Sequence, residues 1–461
     1  MSLVDPNDAR PVHFIGIGGA GMSALAELLT RRGVHVTGCD IAPEGAADLA
    51  RHNIPVVRGH DPAHLDGVRA VVVTSAVPRD HPELQRAREA GLPVVRRAEA
   101  LGEAVAGGTL IAVAGTHGKT TTTVMTTEAL AAAGAAPTGL AGGRVAAWHG
   151  NLRAGSSSLF VVEADEYDRS FLALTPSIAV VTNVESDHLD IYADLADIQQ
   201  TFEQFLAPAR TVVLCADDAG ASALAIPASS EALSYGITNP AARVAAHDIL
   251  SVEGRLRFLV RFDGADQGDL ALQVPGVHNV RNALAAVACG LTMGLTLEAM
   301  RGGLEAFEGV ERRFQRLGAV RGVQVVDDYA HHPTEIIATL DAARAAFPGR
   351  RLIAAFQPHL FTRTRDFADA FGVALARADV VFLTEIYPAR EQPLPGITSA
   401  LVAEALRKAG RQAEWIGERA TLADALAATA REGDVVLTLG AGDITHTGTE
   451  LLQRLGASRP A

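Results

Sequence analysis

The apolar positions of this chain fall into short runs that alternate with glycine turns and helical stretches. An apolar run at 12–17 leads through a glycine turn into a helix predicted at 22–30. Further short strands are predicted at 34–37, 56–57, 70–74 and 94–95. A repeat of strand, turn and helix is typical of a mostly parallel sheet with helices on its outer faces.

Two more series of the same kind follow. The second has predicted strands at 109–114, 159–163, 178–183 and 212–215, and the third at 323–327, 351–356, 380–383, 413–416 and 434–439. Between them, residues 244–274 alternate between apolar and polar positions, which predicts an insert of antiparallel strands. A helix is predicted after this insert, at about 279–290.

The three series predict an α/β protein with three domains. We place the domains at 1–105, 106–312 and 313–461, with linkers near 103–108 and 311–321. At roughly 100–200 residues per domain, the 461 residues of the chain agree with this division.

Composition and charge exclude several classes of protein. The net charge of −13 argues against a protein that binds duplex nucleic acid, which usually presents a basic face. The three cysteines lie singly and favour a reducing compartment, so we expect a cytoplasmic protein. No apolar stretch reaches 18 residues, and the N-terminus lacks an apolar signal core, so we expect no contact with a membrane.

A glycine-rich loop between a predicted strand and a predicted helix indicates a phosphate site. Its residues are 115–120, with the sequence GTHGKT. Glycines let backbone N–H groups turn toward phosphate oxygens, and the helix N-terminus adds positive potential. Lys119 would reach the β- and γ-phosphates, and the Thr120 hydroxyl would ligate Mg²⁺. The usual first glycine of such loops is Val113 here, so this loop is a shortened variant.

Acidic and polar side chains follow two strands of the second series. Glu163 closes one strand, and the segment 184–190, which contains His188, follows the other. In an open α/β sheet the carboxyl ends of the strands line the ligand crevice. Because Mg²⁺ prefers oxygen ligands, Glu163 and His188 are the candidate metal ligands beside Thr120.

The first glycine turn has the spacing of a dinucleotide fingerprint. Gly16, Gly18 and Gly21 follow the first strand, and Asp40 follows the second. This arrangement cradles a diphosphate with backbone amides and a helix start. NAD and a nucleotide-sugar diphosphate both satisfy it, and the separate ATP site favours the nucleotide sugar.

At this point the chain resembles a known family, the Mur ligases, over essentially its whole length. The motifs that carry the resemblance occur in the family's order: HFIGIGGAGMSALA, GTHGKTTTT, VEADEYDRSFL, TNVESDHLDIY, PGVHNVRNALAA, VERRFQ, VVDDYAHHPTEI, FQPHLFTRT, TEIYPAREQP and LGAGDIT. The closest branch adds L-alanine to UDP-N-acetylmuramate. The resemblance implies a Rossmann-like UDP-binding domain, a central P-loop ATPase and a C-terminal Rossmann-like domain.

The resemblance also implies a reaction and its substrates. ATP phosphorylates the lactyl carboxylate of UDP-N-acetylmuramate, and the amine of L-alanine attacks the acyl phosphate, with Mg²⁺ as cofactor. The protein would act as a monomer or homodimer in peptidoglycan precursor synthesis.

The family motifs assign roles to individual positions. The implied catalytic residues are Lys119, Glu163, His188 and Arg313, with metal ligands Thr120, Glu163 and His188. The implied ATP-binding residues are Gly115, Thr116, His117, Gly118, Lys119, Thr120, Thr121, Asn279, Asn282, Arg313 and Asp328. The UDP-sugar would contact Gly16, Gly18, Gly19, Met22, Ser23, Asp40, His60 and Ser75. The acceptor end would contain Tyr329, His331, His359 and Arg363, while His332 packs as a supporting imidazole.

The chain departs from its relatives at two places. Leu360 stands where relatives often carry arginine, and Arg365 is a candidate to supply that contact instead. Related ligases carry a carbamylated lysine after the Asp-His motif, but no lysine lies between Asn183 and Arg210 here. The absence fits the alanine-adding branch.

Three alternatives remain open from the motifs. A recycling ligase that joins the same UDP-sugar to a preformed peptide shares them. Folate- or cyanophycin-type amide ligases lack the N-terminal domain in this form. A nicotinamide-binding regulator with a decayed ATP site is disfavoured by the intact Lys119, Thr120 and Glu163.

Overall fold

Three sheets organise the protein, as the three series of predicted strands indicated. The computed structural model describes residues 3–156, 158–252 and 255–457. Within these residues the sheets have five, ten and six strands, in chain order. No helix in the described ranges is long and apolar enough to cross a membrane.

The N-terminal sheet is entirely parallel, with strand order β3-β2-β1-β4-β5. Its strands are β1 (Val12–Ile15), β2 (Val36–Asp40), β3 (Val56–Arg58), β4 (Ala70–Val73) and β5 (Val94–Arg96). Its helices are α1 (Ala20–Arg31), α2 (Pro82–Glu89) and α3 (Arg97–Val105), with 3-10 helices at Pro43–His52 and Pro62–Leu65. The first strand is the central one, which places the glycine turn after it in the middle of the sheet edge.

The central sheet has strand order β15-β14-β13-β12-β11-β10-β6-β9-β7-β8. Its strands are β6 (Thr109–Ala114), β7 (Thr138–Val145), β8 (Gly150–Arg153), β9 (Leu159–Glu163), β10 (Ile178–Val181), β11 (Thr211–Cys215), β12 (Glu231–Gly236), β13 (Val244–Val252), β14 (Arg255–Phe262) and β15 (Ala265–Leu272). Its helices are α4 (Lys119–Ala132), α5 (Leu195–Leu206), α6 (Ala219–Ser222), α7 (Val277–Thr292) and α8 (Leu297–Glu305), with 3-10 helices at Ala146–Trp148 and Tyr167–Ala173. The antiparallel insert is confirmed, because β13, β14 and β15 pair antiparallel.

The C-terminal sheet has strand order β16-β17-β21-β18-β19-β20 and is parallel except for β16. Its strands are β16 (Gln315–Val320), β17 (Val323–Asp328), β18 (Leu352–Phe356), β19 (Val380–Thr384), β20 (Trp415–Gly417) and β21 (Val435–Leu439). Its helices are α9 (Pro333–Ala346), α10 (Phe361–Leu375), α11 (Ala400–Lys408), α12 (Arg419–Thr429) and α13 (Thr445–Ala457).

Several elements escaped the sequence patterns. The hairpin of β7 and β8 contains four glycines in a weakly apolar stretch, and β12 carries mixed polarity. The strand β16 lies inside 311–321, the segment interpreted as a linker. It is a partly exposed edge strand, so its side chains lack the apolar alternation that reveals a buried strand.

The helix after the phosphate loop is held by packing, because its sequence has little intrinsic helix propensity. Residues Thr120–Thr123 are β-branched, and β-branched residues lose rotamer freedom in a helix. All four are buried, and α4 packs against α7 and α8 in the core of the central domain. Tertiary burial therefore overrides local preference at this helix.

One buried hydroxyl in α4 should be replaceable without loss of stability. Thr123 Oγ1 is buried and forms no hydrogen bond with the described residues. We expect Thr123→Val to raise the free energy of unfolding by about 1 kcal/mol, because it removes an unpaired buried polar group and keeps the shape. Urea unfolding followed by the fluorescence of Trp148, in a Trp415→Phe background, measures the change.

Thr127→Val is the matched control. Its hydroxyl donates to the carbonyl of Thr123 at 2.7 Å, so its removal should be neutral or destabilising by about 1 kcal/mol. Equal destabilisation by the two substitutions would contradict this account of α4.

Candidate active site

The phosphate loop connects β6 to α4 and contains two glycines with positive φ. Gly115 has a φ of 134° and Gly118 a φ of 80°, values that side chains rarely adopt. A Cβ at Gly115 would lie 2.0 Å from Thr182 Oγ1. Gly118 is the N-cap of α4, so the helix N-terminus and its positive potential face the loop. The loop is shaped to receive an anion.

The carboxyl end of β10 holds this loop in place. Thr182 Oγ1 donates to the carbonyl of His117 at 2.6 Å, and Asn183 Nδ2 donates to the same oxygen at 3.1 Å. The amide of His117 donates to Asn183 Oδ1 at 2.8 Å. Thr182 and Asn183 were not among the predicted site residues, although the polar end of their strand pointed to this edge.

Lys119 lies against carboxylates at the base of the loop. Its Nζ is 2.9 Å and 2.8 Å from the two carboxylate oxygens of Glu166, and it donates to the carbonyl of Gly115 at 2.7 Å. Burial favours a lower pKa for Lys119, but Glu166, Asp165 and Glu163 outweigh it and raise the pKa. The lysine is therefore a permanent cation beside the phosphate loop. Glu166, 3% exposed, is its partner in this structure.

The three predicted metal ligands lie around this lysine. Glu163 accepts a hydrogen bond from the Gly142 amide at 2.6 Å. A Cβ on the next residue, Gly143, would lie 3.3 Å from the methyl of Thr120. His188 Nε2 is 3.8 Å from Glu166 Oε1, and its Nδ1 is buried without a hydrogen bond to the described residues. Burial lowers the pKa of His188 to about 4, which leaves a neutral imidazole.

These donors fit a hard divalent cation. The Thr120 hydroxyl and the Glu163 carboxylate offer oxygen donors of the kind that Mg²⁺ prefers, beside the neutral imidazole of His188. Among the described residues, the buried Nδ1 of His188 has no hydrogen-bond partner. This is an independent sign that an ion or a water belongs beside the imidazole.

A cavity of about 350 Å³ opens beside the loop, between the central and C-terminal domains. Eight of the predicted ATP-binding residues line it: His117, Gly118, Thr120, Thr121, Asn279, Asn282, Arg313 and Asp328. Gly115, Thr116 and Lys119 lie in the loop itself and do not line this cavity. The cavity has the position expected of the nucleoside part of ATP.

The two predicted asparagines form a chain of hydrogen bonds at the cavity wall. Asn282 Oδ1 accepts from Thr122 Oγ1 at 3.1 Å, and its Nδ2 donates to Asn279 Oδ1 at 3.1 Å. Asn279 Nδ2 in turn donates to the carbonyl of Pro275 at 2.7 Å. The asparagines therefore tie α7 to α4, and their contact with adenine stays a prediction.

An acid that the motifs did not reveal also lines the cavity. Asp217 accepts from the amides of residues 237–239 and from Arg281 Nε at 2.8 Å. Burial favours a higher pKa for this carboxyl, but Arg281 and the three amides lower it to about 2. Asp217 follows β11, which lies beside β10 in the sheet. Its position at the carboxyl end of a parallel strand is the sequence signal that would have identified it.

Charged contacts join the C-terminal domain to the loop. Glu335 Oε1 is 3.4 Å from His117 Nδ1 and 3.2 Å from Arg313 Nη1. Thr334 Oγ1 donates to Glu185 Oε2 at 2.6 Å. His117 is thus placed between Glu185 and Glu335, one from each domain.

The four predicted acceptor-end residues lie together at the same interface. The His331 ring packs edge-on against Tyr329 at 5.1 Å and against His359 at 5.9 Å. Arg363 donates to Asp187 Oδ1 through Nη2 at 2.5 Å and Nε at 3.2 Å, and both side chains are buried. Because Asp187 precedes His188 after β10, this pair brings the acceptor end to the phosphate loop.

A second cleft, of about 870 Å³, lies between the N-terminal and central domains. Six predicted UDP-sugar residues line it: Gly16, Gly19, Met22, Asp40, His60 and Ser75. Arg96 and Arg97, which the motifs did not reveal, add positive charge, and Arg97 Nη1 would lie 3.0 Å from a Cβ on Gly21 at the start of α1. A helix N-terminus with an arginine beside it suits a diphosphate.

Two predicted UDP-sugar residues do not line this cleft. The Gly18 amide donates to Asp40 Oδ2 at 2.8 Å, and Ser23 Oγ donates to the Ala20 carbonyl at 3.0 Å inside α1. Both groups already have partners within the protein. Their contact with the UDP-sugar stays a prediction.

Models of three Mur ligase domains match successive parts of this chain. The family's catalytic domain matches residues 11–109, the middle domain 113–290, and the glutamate ligase domain 312–442. The chain is 48% identical over 438 residues to UDP-N-acetylmuramate–L-alanine ligase of Acidothermus cellulolyticus, covering 93% of this chain and 91% of the relative. The chain belongs to the Mur ligase family.

Two solved structures of Mur ligases share the three-domain fold. The UDP-N-acetylmuramate–alanine ligase of Thermotoga maritima has a TM-score of 0.83 and 30% identity, with 98% of this chain and 100% of that chain covered. A murein peptide ligase of Psychrobacter arcticus has a TM-score of 0.73 and 25% identity, with the same coverage. Because Mur ligases are ATP-dependent, the predicted ligase class and the use of ATP are confirmed.

One departure from the Mur ligase pattern, Leu360, lies at the N-terminus of α10. Leu360 is buried with a φ of 69°, and its amide donates to the Tyr387 carbonyl at 3.0 Å. Arg365 pairs with its neighbour Asp366 at 2.6 Å on the surface, and its part in replacing the missing arginine stays a prediction. Arg363, two residues before Arg365, is buried at the interface and contacts Asp187. His332 caps α9 and packs against His117 at 4.7 Å, which agrees with a supporting role.

The network around His117 predicts a pH-dependent contribution to stability. Burial favours a lower pKa for His117, but the carboxylates of Glu185 and Glu335, 3.7 Å and 3.4 Å from its ring nitrogens, raise it to about 9. A raised folded-state pKa contributes stability that is complete below the unfolded value of about 6.5 and is lost as pH rises through 9. The excess stability of the wild type over His117→Gln should fall by up to about 3 kcal/mol across this window.

Urea unfolding of both proteins at several pH values between 6 and 10 tests this expectation. Glu335→Gln removes one of the two carboxylates. In this background, the pH-dependent loss of stability caused by His117→Gln should be smaller. A difference that stays constant from acid to alkaline pH would show that His117 is not held protonated.

Proposed function

We propose that this Mur ligase couples L-alanine to the lactyl carboxylate of UDP-N-acetylmuramate, with ATP converted to ADP and phosphate. The observation that carries the proposal is the position of Glu163. It lines the cleft between the N-terminal and central domains and also contributes to the charge that surrounds Lys119 at the phosphate loop. A carboxylate bound in that cleft and a phosphate bound at the loop would meet beside this residue.

The reaction needs an activated carboxylate, since a free carboxylate is a poor acylating agent. A carboxylate oxygen of the sugar attacks the γ-phosphorus of ATP, and the bond to the β-phosphate oxygen breaks. Two anions must approach each other in this step, so Lys119 and the amides at the start of α4 offset their charge. The breaking phosphorus–oxygen bond leaves its electrons on ADP.

The second step forms the amide. The neutral amine of L-alanine attacks the acyl carbon, and the tetrahedral intermediate collapses with loss of phosphate. The acceptor-end cluster of Tyr329, His331, His359 and Arg363 lies at the interface next to Asp187 and His188. Burial lowers the pKa of His359 to about 3, so this ring is neutral near the amine.

We assign a bound Mg²⁺ to Thr120, Glu163 and His188. A magnesium ion there would neutralise phosphate oxygens and polarise the carboxylate. Closure of the C-terminal domain over the loop would exclude water, which otherwise hydrolyses the acyl phosphate. The contacts of His117 with Glu335 and of Arg363 with Asp187 hold the two domains together in this structure.

Two comparisons support L-alanine over a preformed peptide as the acceptor. The likeness to the Thermotoga maritima alanine ligase exceeds that to the murein peptide ligase in both TM-score and identity. The 48% identity to a UDP-N-acetylmuramate–L-alanine ligase extends over most of both chains. A nucleotide sugar, rather than NAD, is our assignment for the first glycine turn for the same reason.

Phosphate release tests this assignment. With ATP, Mg²⁺ and UDP-N-acetylmuramate present, L-alanine should stimulate release well above glycine, L-serine or a tripeptide. One missing methyl changes binding by only about 1–3 kcal/mol, so we expect roughly 10- to 100-fold preference for L-alanine over glycine. Stimulation by the tripeptide alone would instead identify a recycling ligase.

Lys119→Ala tests the phosphate loop. The substitution removes the cation that faces the γ-phosphate, so turnover should fall by at least about 1000-fold. Calorimetry should still detect binding of UDP-N-acetylmuramate, because the cleft for the sugar lies between other elements. Lys408→Ala is the matched control, since this exposed residue is the only other lysine of the chain. Turnover retained by Lys119→Ala would refute the role of the loop.

A further inference from the structure

A cluster of soft and nitrogen ligands lies inside the N-terminal domain, apart from the phosphate loop. It consists of His13 on β1, Cys39 on β2, His64 in the 3-10 helix after β3, and Glu83 on α2. One potential ligand atom from each residue lies within 4.8 Å of the others. The ligase reaction uses none of these four side chains.

Two of the separations within the cluster are close to those around a tetrahedral metal ion. Cys39 Sγ is 3.4 Å from His13 Nε2 and 3.2 Å from Glu83 Oε2, and His64 Nδ1 is 2.8 Å from Glu83 Oε1. Bond lengths of about 2.3 Å for sulfur and 2.0–2.1 Å for nitrogen and oxygen imply about 3.3–3.6 Å between neighbouring ligands in such a site. Only small side-chain rotations would bring the four donors around one ion.

The ring of His13 is already oriented for coordination. Its Nδ1 is hydrogen-bonded to Thr37 Oγ1 at 2.9 Å, and its Nε2 faces the Cys39 sulfur. Histidine ligands of metals typically use the second ring nitrogen in a hydrogen bond of this kind, which sets the tautomer and the ring plane. Thr37 is two residues before Cys39 on the same face of β2, so one strand supplies both a ligand and its support.

The cluster also buries charge that lacks a strong cationic partner. Glu83 is 0% exposed, and its ion-pair partners among the described residues are the imidazoles of His60, His64 and His81. His81 Nδ1 is buried without a hydrogen bond to the described residues. A carboxylate buried among imidazoles and a thiol is costly unless a cation accompanies it.

We propose that His13, Cys39, His64 and Glu83 form a binding site for Zn²⁺ or a similar thiophilic divalent cation. The thiol, the two imidazoles and the carboxylate are a donor set that selects zinc over magnesium. On binding, the Cys39 thiol loses its proton to solvent and the thiolate sulfur bonds to the ion. The ion would join β1, β2, the 3-10 helix and α2 at one point.

The surroundings give the site an entrance. His60 Nδ1 lies 3.1 Å from the Cys39 sulfur, and both His60 and His81 line the cleft assigned to the sugar nucleotide. An ion would therefore enter from that cleft, past two further imidazoles. The adjacent residue Asp40 holds the glycine turn, so occupation of the site would stabilise the floor of the cleft.

Cobalt is the probe that reports on the sulfur ligand. The full-length protein, stripped with a chelator, is titrated with Co²⁺ in the presence of excess Mg²⁺, which fills sites made of oxygen ligands. We expect a thiolate-to-cobalt charge-transfer band, visible bands of tetrahedral cobalt, and saturation at about one ion per chain. Zn²⁺ should abolish these bands by displacement and should raise the melting temperature of the stripped protein.

Cys39→Ser distinguishes a metal site from a hydrogen-bonded polar cluster. Serine still donates a hydrogen bond to Glu83 but is a poor ligand for zinc, so the charge-transfer band and the zinc-dependent rise in melting temperature should both disappear. Cys289→Ser is the matched control, because this cysteine is equally buried in α7 and should leave both signals unchanged.

His64→Gln is a second test, at a less buried position of the cluster. We expect weaker cobalt binding, and circular dichroism checks that the variant folds. Absence of the charge-transfer band in the wild type, or its persistence in Cys39→Ser, would overturn the proposal. Either result would leave the cluster as a set of hydrogen bonds that links α2 to β2 and to the 3-10 helix.

Discussion

The site depends on a backbone that must turn sharply where there is no space for a side chain. Gly115 lies against Thr182 and Gly118 against Asn282, and both have positive φ. The turn is costly for any other residue and needs support from outside the loop. Thr182 and Asn183 supply that support through hydrogen bonds, so the loop is shaped by the neighbouring strand as much as by its own sequence.

The order of the strands in the central sheet explains why the charged residues lie together. The strands β6, β9 and β10 are neighbours in one parallel sheet, and their carboxyl ends meet at a single edge. Lys119, Glu163 and Glu166 come from two of these strand ends, and Asp187 and His188 come from the third. The acids around Lys119 raise its pKa despite its burial, which keeps a positive charge where a phosphate would lie.

Ligand-binding space in this protein lies between domains. The cleft assigned to the sugar nucleotide separates the N-terminal and central domains, and the cavity assigned to ATP separates the central and C-terminal domains. Two neighbouring residues on the second strand of the N-terminal sheet belong to different sites. Cys39 and Asp40 are successive residues on β2, so they face opposite sides of the sheet. Asp40 supports the glycine turn, and Cys39 points into the cluster proposed to bind zinc.

The sequence by itself determined the three α/β domains, the phosphate loop and the acidic strand ends. Each of these follows from local periodicity or from residue types at fixed spacing, and each has a direct physical meaning. The strands at 109–114 and 159–163 were even placed with the bounds that the structure has. The hairpin at β7 and β8 and the edge strand β16 lacked such a pattern and were missed.

Only the tertiary structure decided which side chains meet. The partners in the pairs Lys119–Glu166, His117–Glu335 and Arg363–Asp187 lie 47, 218 and 176 positions apart in the sequence. The last two pairs also join different domains. It also showed that the Gly18 amide and the Ser23 hydroxyl form hydrogen bonds within the protein and that Arg365 pairs with Asp366 on the surface. A linear pattern carries the type and the strand position of a residue, but contact, burial and direction depend on how the domains pack.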